Sequence, residues 1–333
     1  MKISIVIPTC SRIDFLEKAL KSINSQTYRD YEVIIVNDNP ADKSRVDELA
    51  STFEKTTVIH HAATLGGNAA RNSGILNSAG EIITFLDDDD IWLPEKLARH
   101  AQAHIQQPNT GLVFSDCLYV YNNPMIADRV ASSYLPVDVV NAMQRARFCP
   151  ATTSIVSVKR ECVEKCGLFD ENLVSFQDWD YWFRLAHHFE FSHLPEILVH
   201  YTQHLQTRTS INEDKRKKGM EQICSKWGRE INTETFLKKF KHILYYNSSM
   251  NALLAGETLT AISKSMRLFN KEVIGKKSVL SFLSLLVSLF FITREPVVTS
   301  IKQLFYGFKT DVYNREKATF NFYKFSSVFS FLL

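Results

Sequence analysis

Apolar and polar positions divide the first hundred residues into short apolar runs separated by amphipathic stretches. Ile3 to Ile7 is a β-branched run stopped by Pro8, the pattern of a strand buried on both faces. Ser11 can cap a helix that runs to Ser25, with Phe15, Leu16, Ala19, Leu20 and Ile23 recurring on one face. Glu32 to Val36 reads EVIIV, a second strand, broken by Asn37-Asp38-Asn39-Pro40. Val46 to Phe53 has helical spacing, Thr57 to His60 is a short strand, and Gly66-Gly67 is a turn. Asn68 to Ser78 is a helix that Gly80 ends, and Glu81 to Leu86 is a further strand. Such alternation predicts an α/β domain with a parallel sheet and right-handed crossovers. Ligands of these sheets bind beyond the carboxyl ends of the strands, so the polar residues after each apolar run are the candidates for chemistry.

Farther along, Leu112 to Leu118 and Ile155 to Val158 read as strands, Asp178 to Phe189 as a helix, and Ile197 to Tyr201 as the last strand of this domain. From Asn212 the spacing is helical, through KRKKGMEQICSKW, TFLKKFKHILYY and LTAISKSMRLF. The 333 residues therefore divide into a domain of residues 1–210 and a C-terminal α-helical region of residues 211–333. Charge follows the same division. The first part holds 19 basic and 26 acidic residues, a net −7, and the second 20 and 10, a net +10, with 13 of the 23 phenylalanines.

That asymmetry calls for an anionic partner of the C-terminal region. Its basic residues alternate with Phe and Leu, which suits a membrane surface; no zinc-finger or RNA-recognition motif points to nucleic acid. Ser278 to Thr293 is sixteen uncharged residues, eleven of them apolar, between Lys276-Lys277 and Arg294. A spanning helix needs about 20 predominantly apolar residues, so an interfacial helix is the expectation. The alternative is that these helices cover the first domain or form a homodimer contact. The N-terminal apolar run is too short for a secretory signal, so a cytoplasmic protein is expected, peripheral on the inner face of the cell membrane, with reduced cysteines.

Chemistry concentrates at three strand ends. FLDDDDIW, residues 85–92, places four carboxylates in succession after an apolar strand, where they repel one another. A divalent cation such as Mg²⁺ or Mn²⁺ would relieve that repulsion and share the site with phosphates, and a solvated acidic turn is the plainer alternative. Asp38 ends the EVIIV strand, where a carboxylate can meet a base or ribose or can simply start an Asx turn. Gly66 to Gly74 forms a glycine turn entering a helix, where the backbone at Gly67 and Asn68 can approach phosphate and Arg71 adds charge. No glycine follows the first strand, which excludes the GxGxxG turn, and no GxxxxGK[ST] loop exists.

IVIPTCSR, IIVNDNP, GGNAARNSGI, AGEIITFLDDDD and FDENLVSFQDWDYWFRLA, in that order and spacing, closely resemble family 2 glycosyltransferases of the GT-A fold, over residues 1–205. The resemblance implies a Rossmann-like, mostly parallel sheet, a nucleotide-diphosphate sugar donor, a divalent metal and an inverting reaction. Carried over by position, Pro8, Thr9 and Arg12 line the nucleotide pocket, Asp38 reads the base, and Arg71 sits beside the nucleotide. Asp87 and Asp89 form the DxD pair, Asp87 towards the ribose and Asp89 on the metal, with Asp88 in the middle position and Asp90 following. Asp178 is the implied catalytic base, preceded by Gln177 where the family has glutamate, with Asp180 as its backup. N-capping of a helix is the plainer role for Asp178. His204 matches a histidine that approaches the metal or diphosphate, and Arg208 can meet phosphate.

Cys149 to Ser154 falls where the family's acceptor-facing loop begins, and Trp92, Trp179 and Trp182 either stack on acceptor sugars or lie beneath the site. The implied acceptor is a glycan or an undecaprenyl-diphosphate-linked sugar of surface-polysaccharide assembly, and the implied donor a UDP-hexose. A nucleotidyltransferase would carry a glycine-rich basic loop after the first strand, which PTCSR lacks. A non-catalytic sugar-binding module would have no use for both the aspartate cluster and Asp178.

Overall fold

The computed structural model describes residues 1–121, 129–131, 134–204 and 212–269. Arg208, the 278–293 run and the Phe-rich basic tail lie outside the described residues.

The β-branched runs form strands because they can be buried on both faces. β1 (Ile3–Thr9), β2 (Tyr31–Asn37), β3 (Thr56–His60) and β4 (Ile82–Phe85) pair in parallel, Ile3 opposite Tyr31 and Ile82, and Val33 opposite Thr56. The connecting helices are α1 (Ile13–Asn24), α2 (Lys43–Ser51) and α3 (Gly67–Leu76). The chain continues through β5 (Ile91–Trp92), α4 (Lys96–Gln106), β6 (Thr110–Tyr121), β7 (Arg129–Ala131) and α5 (Val139–Gln144). Next come β8 (Val156–Lys159), α6 (Arg160–Cys166), α7 (Gln177–Ala186) and β9 (Glu190–Gln203).

Among the described residues the nine strands make one sheet, in the order β3-β2-β1-β4-β8-β6-β9-β5 with β7 on β6. The half built from the first hundred residues is parallel, as the sequence predicts. The other half is mixed: β8 runs antiparallel to β4 and β6, and β5 antiparallel to β9, while β6 and β9 are parallel. Apolar content does not encode this, since a strand buries the same side chains in either direction. β1, β2 and β4 end on one edge, which brings Thr9, Asp38 and the 87–90 aspartates to the same side of the sheet.

Two local departures bear on the site. Ser11 does not cap α1. It takes a left-handed φ of 60°, its Oγ accepts Asn39 Nδ2 at 2.8 Å, and the helix starts after Arg12. Phe15 is only half-buried and stacks on His204, ring centroids 4.7 Å apart, while Leu16, Ala19, Leu20 and Ile23 enter the core.

The described part of the C-terminal region is helical: α8 (Glu213–Trp227), α9 (Thr233–Leu254) and α10 (Thr258–Ser265). Met220, Ile223, Ile231, Phe236 and Leu244 join the same apolar core as the sheet. Phe236 meets Trp179 edge-on at 5.1 Å and Trp227 meets Phe183 at 5.0 Å, so α8 and α9 cover α7. Gly219 permits the approach: a Cβ there would lie 2.7 Å from the Ser175 Cβ. Among the described residues no helix is long and apolar enough to cross a membrane. No disulfide joins the six cysteines.

Candidate active site

The aspartate turn after β4 is held by the chain itself. Arg12, brought forward by the Ser11 turn, donates to Asp89 Oδ2 at 2.7 Å and forks onto both oxygens of Asp88. Thr9 Oγ1 donates to Asp88 Oδ2 at 2.8 Å. Arg71 Nη2 donates to Asp87 Oδ1 at 2.5 Å. Asp90 accepts from Ser154 Oγ at 2.6 Å and from the Thr202 backbone N–H at 3.0 Å, which ties the turn to the strand beside it. Mutual repulsion, which the sequence suggests a cation would relieve, is thus countered within the chain by two guanidinium groups and three neutral donors. Burial pushes the Asp88 carboxyl up to about 7 against the pull of Arg12. Burial alone would lower Arg12, and the aspartates around it more than reverse that.

Several predicted nucleotide residues serve as the frame of the cleft. Thr9 and Asp88 are buried, and Asp88 anchors Arg12. Asp38 is buried too; its carboxylate accepts the backbone N–H groups of Leu65 and Gly66, each at 2.8 Å, and faces His61 Nδ1 at 2.7 Å. His61 Nε2 in turn meets Ser73 Oγ at 2.9 Å. Asp38 therefore shapes the loop that delivers α3, with Gly66 at φ 97° turning the chain into the helix. Asn68 spends its side-chain amide on the carbonyls of Asp170 and Leu173, at 2.9 and 3.0 Å, which fastens the FDENL loop to α3. Gly67 sits at the start of α3 and its carbonyl accepts from Arg71 at 3.4 Å. Pro8 is half-buried at the end of β1.

Asp178 lies in the first turn of α7, after Phe176 in the left-handed region at φ 63°. Its Oδ1 accepts its neighbour's backbone N–H, from Trp179 at 2.8 Å; no side-chain cap hydrogen bond starts the helix. Burial raises the Asp178 carboxyl above the usual range; the Trp179 N–H, Arg216 and Arg71 pull it down, and Asp87 pushes it up. Asp180 is fully buried on another face, bound by Arg184 Nε at 3.1 Å, Trp227 Nε1 at 2.8 Å and Lys226 Nζ at 2.9 Å. Trp92, Trp179 and Trp182 are all buried, so none of them is a platform for acceptor sugars; they support the site from beneath.

His204 Nε2 meets Asp89 Oδ2 at 2.9 Å, and its Nδ1 is buried without a hydrogen-bond partner among the described residues. Among those residues no three His, Cys, Asp or Glu side chains converge as a metal-binding group. Asp89 and His204 form a two-donor set, which fits a hard cation that takes its other oxygens from substrate phosphate and water. Two residues of the predicted acceptor-facing loop instead hold the aspartate turn: Thr153 donates to Asp87 at 3.3 Å, and Ser154 Oγ accepts the Asp87 N–H at 3.1 Å. Arg216, which escaped the sequence reading, reaches from α8 to Ser175 in the turn before Asp178. Thr153 and Ser154 lie in the TTS run before β8; Arg216 was hidden in a basic tract that reads as solvated.

The family model "Glycosyl transferase family 2" matches residues 4–131. An uncharacterized glycosyltransferase, YwdF of Bacillus subtilis, is 30% identical over 255 residues, 71% of this chain and 88% of the relative. The GalNAc(5)-diNAcBac-PP-undecaprenol beta-1,3-glucosyltransferase of Campylobacter jejuni is 37% identical over 122 residues, 35% of this chain and 38% of that one. Among solved structures, Staphylococcus aureus TarS 1-349 with UDP-GlcNAc aligns at TM-score 0.55 and 16% identity, over 89% of this chain and 83% of that one. The mannosyltransferase PcManGT of Pyrobaculum calidifontis, with GDP-Man and Mn²⁺, aligns at TM-score 0.52 and 18% identity, over 94% and 86%. At such identities the structures speak for the fold, which is GT-A, while YwdF, matched along most of its length, speaks for the family. The chain belongs to glycosyltransferase family 2 and is a glycosyltransferase.

Proposed function

We propose that this glycosyltransferase moves a hexose, with inversion, from a UDP-sugar to a hydroxyl of a glycan or lipid-diphosphate-linked sugar in surface-polysaccharide assembly. One observation carries the chemistry: Asp178, a carboxyl raised by burial, opens α7 just after the 169–173 loop that Asn68 fastens to α3, the helix that carries Arg71. A base raised above the ordinary carboxylate range takes a proton more readily than a free carboxylate. Asp178 accepts the proton of the acceptor hydroxyl as its oxygen attacks the anomeric carbon from the side opposite the leaving group. A single displacement turns an α-linked donor into a β-linked product. Arg71 and Arg12 stabilise the charge that develops on the departing diphosphate. Asp89 and His204 would hold a Mn²⁺ or Mg²⁺ ion, which supplies further charge neutralisation there.

The lipid-linked acceptor draws support from the name of the Campylobacter relative, and the uridine donor from TarS crystallised with UDP-GlcNAc. Such an acceptor puts the enzyme at the inner face of the cell membrane, where the basic C-terminal region meets anionic lipid. A panel of UDP- and GDP-sugars, with Mn²⁺ or in excess chelator, tests donor and metal together. The expected result is metal-dependent binding with preference for a uridine donor. Tight preference for a guanosine donor, or equal turnover in chelator, contradicts the reading.

A further inference from the structure

α8 lies in the C-terminal region, outside residues 1–205 that carry the family motifs, yet it reaches the turn that delivers Asp178. Arg216 is half-buried, and its Nη1 donates to the buried Ser175 Oγ at 3.0 Å. Its guanidinium lies 3.7 Å from the centroid of the Phe176 ring. Phe176 is the left-handed residue immediately before α7, a conformation that is strained for a non-glycine residue and needs support from its surroundings. Phe236 and Phe240 of α9 pack on the same ring at 5.6 and 4.8 Å. Gly219, one turn beyond Arg216, brings α8 close enough for these contacts.

We propose that Arg216 is a positioning residue for Asp178: from the C-terminal region its cationic guanidinium clamps the Ser175–Phe176 turn and so holds the Asp178 carboxylate in place. The inference rests on the reading of Asp178 as the base. Charged and titratable groups around Asp178 come from several elements: Arg216 of α8, Arg71 of α3 and Asp87 after β4, with the Cys149 thiol on the loop after α5. Lys239 of α9 acts on that thiol, and Tyr201 of β9 on Arg216. On α7 itself, Asp180 is occupied by Arg184, Lys226 and Trp227. Burial and the Trp179 N–H act most strongly on the Asp178 carboxyl, followed by Arg216 and Arg71, which pull it down, and Asp87, which pushes it up. Arg71 is bonded to Asp87, whereas Arg216 holds the turn that carries Asp178. An arginine stays protonated even when burial lowers its pKa, so its pull is constant across the working range.

The test is a pH titration of the Asp178 carboxyl carbon in the full chain labelled with ¹³C-aspartate, the resonance being assigned by its loss in Asp178→Asn. Arg216→Gln should move the midpoint to higher pH, with the other aspartates as folding controls. Arg216→Lys, which restores the charge, should bring it back towards wild type. Ser175→Ala removes only a hydroxyl; it tests the clamp should the arginine variant fail to fold, and should move the midpoint in the same direction by less. Midpoints that superimpose on wild type in the folded charge-removing variant, or in Ser175→Ala if only that one folds, overturn the proposal. Equal shifts in Arg216→Gln and Arg216→Lys overturn it as well, since charge would then be irrelevant. Whether Asp178 is the base is read separately, from turnover of Asp178→Asn.

Discussion

Asp178 and Asp180 stand two residues apart, about 200° around a helix, and that rotation separates their environments. Asp178 accepts only the Trp179 N–H among the hydrogen bonds described and is raised by burial, whereas Asp180 is locked among Arg184, Lys226 and Trp227. Removing the charge of a buried, multiply bonded carboxylate strands its partners and costs about 3–5 kcal/mol when a partner is lost outright, less for an isosteric amide. Asp180→Asn is therefore expected to lower stability by about 2–4 kcal/mol in denaturant unfolding, with nucleotide binding by the folded protein kept. Wild-type stability combined with lost transfer would instead make Asp180 the base. At this scale the sequence was a partial guide. Motif spacing located Arg12, Arg71, Asp87, Asp89 and His204, which the fold gathers into one cluster. It could not show that Asp88 and Asp38 are buried struts, because a carboxylate that shapes a loop and one that meets a ligand look alike in sequence.

α4 shows what periodicity can hide. Its buried face is Lys96, Leu97, His100, Ala101, Ala103 and His104, so half of the inward stripe is polar and the apolar repeat is weak. Inside, Lys96 Nζ donates to Thr84 Oγ1 at 2.9 Å above the Trp92 ring, and both histidines meet Ser157 Oγ, at 2.8 and 2.9 Å. Burial holds His104 down at about 4, against about 6.5 for an unfolded histidine. The unfolded chain therefore takes up a proton that the native state refuses as pH falls from about 6.5 to about 4. Stability is complete above that window and declines through it, by on the order of 3 kcal/mol from this residue. Urea unfolding at pH 7.5 and 4.5 should show a smaller acid loss in His104→Gln than in wild type. Equal losses would mean that His104 is protonated in the folded state. Strands whose burial is two-sided were legible because their sequences are uniformly apolar. β9 extends beyond the expected Ile197 to Tyr201 because the exposed Glu190 and Pro195 interrupt its alternation.

The whole molecule joins a family domain to a C-terminal region that does more than cover it. The family model stops at residue 131, while Asp178, His204 and Arg216 lie beyond it. α8 and α9 complete the core behind α7, and the basic, phenylalanine-rich region of residues 211–333, with its net charge of +10, is expected to meet the membrane surface. Fractionation of cells expressing the full chain checks that assignment: the protein should pellet with membranes and come off in high salt or alkaline carbonate. Release by detergent alone would indicate a true span, and a wholly soluble protein a core or dimer role. The central claim concerns one carboxylate at one edge of the sheet. It is tested most directly by comparing wild type and Asp178→Asn for UDP affinity by calorimetry and for release of UDP from the preferred UDP-sugar with Mn²⁺ and acceptor. General-base catalysis contributes about 10²–10⁴-fold. The account expects UDP affinity within about threefold and turnover lower by at least about a hundredfold; wild-type turnover in Asp178→Asn would contradict it.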